Sequence, residues 1–137
     1  MANIHTFTEN IKADVEMGVA TLSTSANAPI YFDMKNYDLA VFLVLTGTIV
    51  AGAVATLTMM ERIGAAGGAQ ALAGAGALAD TQSNTVTVLQ VRGEEMSVNT
   101  GYTHVGMIVD ETGGSNLPVG VILLRMRARY KQAVLPA

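Results

Sequence analysis

Two histidines, His5 and His104, are the ready candidates for proton transfer near neutral pH, and neither stands in a pattern that would use one. His5 sits in a polar N-terminal stretch, and no G-x-S-x-G elbow accompanies either His to supply a nucleophile. There is no H-x-H, no H-E-x-x-H and no cysteine at all, so thiolate metal sites and disulfide frameworks are excluded. Two acidic pairs, Glu94-Glu95 and Asp110-Glu111, fall in turn-rich stretches, where their reading is solubility. Gly74-Ala75-Gly76-Ala77-Leu78-Ala79 fits G-x-G-x-x-A, the dinucleotide fingerprint. That motif needs a hydrophobic strand before it and a helix opening from it. Here Gly64, Gly67 and Gly68 precede it and Asp80-Thr81-Gln82-Ser83-Asn84 would stop a helix, so the match is compositional. Arg125, Arg127 and Arg129 share one face of an alternating run and invite a phosphate-binding reading. A net charge of −3 and the lack of interleaved aromatics favour a solvated or subunit-facing strand instead, with Glu94 or Glu95 as ion-pair partners. On this inventory the chain is not an enzyme. No catalytic, cofactor-binding or metal-ligating residue is assigned, and no cofactor is expected.

Composition points the same way. Half of the 137 residues are hydrophobic and only 14% are charged, against about a quarter in ordinary soluble domains. So few charges leave too little polar surface for a lone monomer, and much of it should be covered by other subunits, a larger assembly or lipid. The first sixteen residues carry no apolar core for a signal peptide, which suggests synthesis in the cytoplasm.

The elements that would position these residues read as strands. Residues 1–30 are expected to form an N-terminal arm and linker, ending in the turn-rich STSANAP of 23–29. Within it Val15, Met17 and Val19 alternate with Glu16, Gly18 and Ala20, which also fits a short edge strand. Tyr31 and Phe32 are placed to seal one end of a core. Residues 39–60 hold no charge and have the length of a membrane span. Their β-branched content and the Gly47 and Gly52 breaks argue for two buried strands joined near 47–53, so no membrane is expected. Residues 64–79, rich in Gly and Ala, read as a loop or close-packed surface segment. Residues 85–109 read as two strands paired across a turn-rich connection, with Val105, Met107 and Val109 on one face of the second. Residues 110–118 read as a loop, and 119–130 as a strand with the cleanest alternation in the chain. About eight strands and no long helix predict an all-β, jelly-roll-like β-sandwich in a single domain over 31–137.

The words of the sequence also resemble a family. Phe32-Asp33-Met34 and Tyr37 lead into an apolar strand closing on Gly47-Thr48, followed by a strand and a Gly/Ala-rich insert. Glu95, Val98, Asn99, Gly101, Tyr102 and Val105 then form E-x-x-V-N-x-G-Y-x-x-V. This order, over roughly 31–130, resembles structural proteins of tailed bacteriophage virions, in particular capsid decoration (cement) proteins. The insert at 64–79 departs from the more polar segment of such proteins. The resemblance implies a homotrimer on the outer capsid surface, bound to the major capsid protein and tying capsomers together; the net charge of −3 separately predicts no nucleic-acid partner. A neck, head-completion or tail role stays open, as does a small-ligand or carbohydrate-binding sandwich.

Overall fold

A computed structural model describes residues 11–23, 25–35, 37–78, 83–97 and 101–126, with backbone only for 73–78. It contains eight strands: β1 (Ile11–Leu22), β2 (Phe32–Asp33), β3 (Leu39–Thr46), β4 (Ala55–Ile63), β5 (Ala69–Leu78), β6 (Val86–Arg92), β7 (Tyr102–Glu111) and β8 (Leu117–Met126). Antiparallel pairing is nested, β1 with β8, β2 with β7, β3 with β6 and β4 with β5. Two further ladders, β3 with β8 and β4 with β7, complete two four-stranded sheets, ordered β1-β8-β3-β6 and β2-β7-β4-β5. Nested pairs folded over one another into two facing sheets are the jelly roll that the strand count predicts.

The core lies between the sheets. Phe42 and Val44 of β3, Leu57 of β4, Met107 and Val109 of β7, and Leu117, Val121 and Leu123 of β8 are all 0–1% exposed. The 39–60 run divides as expected into β3 and β4, but each strand joins a different sheet, so the 47–54 connection crosses the sandwich. No helix among the described residues is long and apolar enough to cross a membrane. Where that connection meets the loop after β7, the backbones approach so closely that a Cβ on Gly113 would lie 2.1 Å from the Gly52 carbonyl. Only glycine fits there.

Four expectations need correction. The sandwich does not start at residue 31: the edge strand that Val15, Met17 and Val19 also fitted is present and longer, Ile11–Leu22, paired with β8 across two register shifts; residues 1–10 lie outside the described set. The strands of 85–109 do not pair with each other. β6 lies beside β3 and β7 beside β4, and the 3₁₀ turn at Gly93–Glu95 begins the crossing between sheets. Residues 69–78 form an edge strand rather than a loop, since small side chains still present a complete backbone ladder to β4. Finally, β7 runs on through Glu111, so the loop expected at 110–118 shortens to 112–116.

Candidate functional site

Among the described residues, the side chains singled out for chemistry do not converge. His104, on the outer side of β7, has Nδ1 2.9 Å from the Thr103 hydroxyl and lies in register with Asp33 and Arg62. Gly74–Leu78 lies in β5, so the G-x-G pattern occupies a paired strand where the fingerprint needs a turn opening a helix. Among the described residues no three His, Asp or Glu side chains gather as metal ligands would. His5, Arg127 and Arg129 lie outside the described residues.

Arg125 does not stand on a solvated face. It shares the inner side of β8 with Leu123 and closes one end of the core. Its guanidinium donates to Asp14 Oδ2 at 2.7 Å and to the Asp33 carbonyl at 2.7 Å. It also lies over the rings of Phe32 and Tyr37, 5.3 and 4.8 Å from their centroids. Its carboxylate partner is therefore Asp14, not Glu94 or Glu95. Glu95 instead accepts the Arg92 backbone N–H at 2.8 Å, and Glu94 makes an exposed 3.6 Å pair with Arg92. Beside this end a cleft of about 440 Å³ is rimmed by Asp33, Lys35, Tyr37, Asp38 and Tyr102. Arg125 occupies one face of Tyr37, which limits the aromatic surface the cleft offers a ligand.

Among the described residues three glutamates are buried, and each holds together strands or loops that no ladder joins. Glu111 was expected at a solvated loop. Its carboxylate accepts N–H groups from Gly113 at 2.6 Å, Gly114 at 3.1 Å and Val54 at 3.2 Å, tying the two loops at that end. Glu61 accepts from the Gln70 side chain at 2.6 Å and from the Ser97 N–H at 2.9 Å. Glu16 is carried inward by a bulge in β1 between Val15 and Met17. Its Oε1 accepts the N–H groups of Ile30 at 3.0 Å and Met107 at 3.1 Å, while Oε2 has no partner. Burial raises its pKa to about 7 despite those two bonds. Next to it Asn27 pairs with the edge of β7 as a strand would, accepting from Val109 at 2.7 Å and donating to the Met107 carbonyl at 3.0 Å. These carboxylates tie strands and loops of the sandwich to one another.

The outer faces of the two sheets differ sharply. Registers across the first sheet align its outward residues in rows: Ala13, Leu124, Val41, Gln90; then Val15, Ile122, Leu43, Val88. The next row is Gly120, Leu45 and Val86, with Val19 leaning over Gly120. Val15 is 60% exposed, Val19 90%, Val86 55% and Val88 58%. In these rows there is no charged side chain; Arg92 stands at one corner. Across the second sheet the outward rows instead carry Asp110 beside Thr56, Ile108 beside Thr58, and Asp33, His104 and Arg62. Arg62 there lies 4.9 Å from the ring centroid of Tyr31. The candidate functional site is the outer face of the β1-β8-β3-β6 sheet, and what it can do is bind.

A signal for it existed in the sequence. β3 (LAVFLVL) and β8 (VGVILL) are apolar on both faces, the pattern of strands covered on both sides.

No protein-family model matches the chain, and no curated protein matches its sequence. Solved structures share the fold. The SPBc2 prophage-derived protein YomS aligns with a TM-score of 0.54 and 13% identity, over 85% of this chain and 92% of that one. A chain of infectious bursal disease virus Gx strain aligns at 0.54 and 11% identity, over 88% of this chain and 33% of that one. The VP2 subviral particle of that virus aligns at 0.54 and 12% identity, over 85% and 32%. This chain thus spans about a third of the bursal disease virus chains. At such identities the likeness establishes the β-sandwich.

Proposed function

We infer that this protein is a structural component of a virus particle, and specifically that it decorates the outside of a phage capsid. There it stabilises contacts between capsomers, with the major capsid protein and further copies of itself as partners. On this reading it performs no catalysis and takes no cofactor.

One observation carries the reading: a well-packed jelly roll turns outward a sheet face whose central rows are uncharged and, Gln90 apart, apolar. Such a face costs solubility in a lone monomer and gains free energy when an assembly covers it. Likeness to a prophage-derived protein and to virus-particle chains supports a virion as that assembly. The phage-type words at 32–37 and 95–105 support its decoration role.

Copy number tests it. Quantitative mass spectrometry of purified virions should find this chain at a fixed ratio near that of the major capsid protein. A ring's worth of copies would move it to the neck or tail, and absence from particles would overturn the virion reading.

A further inference from the structure

We propose that the outer face of the β1-β8-β3-β6 sheet is covered by the same face of a second copy of this chain, about a two-fold axis running across the strands. The proposal deepens the preceding reading, in which an assembly covers this face, by naming the occupant.

Chemistry comes first. The central rows hold Val, Ile, Leu, Ala and Gly, with Gln90 as their one polar side chain. They offer a charged partner no counter-charge, whereas an identical apolar face matches them without desolvating an ion. The apolar surface also reaches both edges of the sheet, through Val15 and Val19 on β1 and Val86 and Val88 on β6.

Extent comes second. Strands spaced about 4.8 Å apart, with about 3.4 Å per residue, give the face a footprint of roughly 500 Å². Side chains standing off a sheet expose more area than they project. The face therefore approaches the roughly 800 Å² that each partner contributes to a stable interface of standard size.

Relief decides between a second copy and an unrelated protein. Gly120 leaves a hollow of about 210 Å³ on this face, walled by Val19, Leu45, Gly47 and Pro118. In the adjoining row Ile122 follows Gly120 by two residues along β8, about 7 Å. A two-fold axis lying between them, across the strands, places Ile122 of each copy over the other's Gly120 hollow and sets Leu43 against Leu45 and Val88 against Val86, apolar on apolar. Self-complementarity of this kind is what an isologous contact requires. The stacked sheets would then lie about 10 Å apart, as they do inside a sandwich.

The test is the solution mass of the full chain by sedimentation equilibrium over a wide concentration series. Wild type should approach twice the 14.3 kDa chain mass. Val88→Asp and Val15→Asp, at opposite edges of the face and both exposed in one copy, should each raise the dissociation constant at least about tenfold. Thr58→Asp, on the outer face of the other sheet, should leave it unchanged. Thermal melts by circular dichroism identify any variant that has lost its fold. A wild-type chain that stays monomeric overturns the proposal, as does a three-chain mass or a Val88→Asp variant that associates like wild type. The two readings fail separately. A monomer found in purified particles would overturn self-docking alone, and a dimer absent from them would overturn the virion role alone.

Discussion

The two sheets share one core and differ on the sides they turn away from it. The second sheet follows the usual rule for a half-buried antiparallel sheet, with Val105, Met107 and Val109 inward and His104 and Asp110 outward. In the first sheet the inward row Phe42, Val44, Val121 and Leu123 is backed by an outward row that is also apolar. Packing against the second sheet explains only the inward set. The outward set faces away from that core, so the difference separates the surface that joins the two sheets from the surface this chain presents to others.

That separation breaks most severely at β1, which belongs to both sets. Met17 and Leu22 are core residues, Glu16 joins β1 to β7, and Val15 and Val19 complete the outer face. Deleting residues 2–22 should therefore abolish cooperative thermal unfolding, because it strips β8 of a full ladder and opens the core.

Next in size is Glu111. Glu111→Ala should cost about 2–3 kcal/mol in urea unfolding, since three loop N–H groups lose their acceptor. Removal of the exposed Glu94 carboxylate by Glu94→Ala should leave the midpoint in place.

Glu16 gives a pH signature. Its pKa is near 7 in the folded protein and 4.5 in the unfolded chain, so the folded state holds a proton that the unfolded state has released between those values. The stabilisation is fully present below pH 4.5 and is lost as pH rises through 7. Glu16→Gln, which keeps an acceptor for Ile30 and Met107, should flatten that slope in urea melts taken from pH 4.5 to 8. Parallel wild-type and variant profiles would show that Glu16 titrates normally.

The smallest effect on stability belongs to the faces themselves. Val88→Asp and Thr58→Asp should both shift the unfolding midpoint of dilute protein by within about 0.5 kcal/mol, while only the first should change association.

How far the sequence carried this account follows from which interactions are local. Alternation and β-branching mark β3, β4, β7 and β8, and Gly47 and Gly52 mark the break between the first two, because each strand's own pleat decides its pattern. β5 left no such mark: Ala and Gly are poor in side-chain pattern yet hydrogen-bond to β4 through backbone alone. The sheet to which β6 and β7 belong depends on pairing with residues 39 or more positions away, which no short window contains. Bulges explain the remaining misreadings. One extra residue at Glu16 and irregular pairing between Met17 and Ala20 turn Glu16 and Met17 inward and Val15 and Val19 outward, against the simple alternation. Arg125 continues the inward side of β8, where aromatic rings and Asp14 receive it, and its neighbours in space come from the opposite end of the chain.

The central claim, that an assembly covers one outer face and leaves the other open, has a direct measurement. The chain contains no cysteine, so Val88→Cys and Thr56→Cys each introduce a unique thiol on an exposed position of one sheet. Maleimide labelling rates would be compared for each variant in the assembled state and in dilute protein. The account predicts that assembly protects the thiol at 88 strongly and leaves the thiol at 56 as reactive as before. Equal reactivity at the two positions in the assembled state would contradict it.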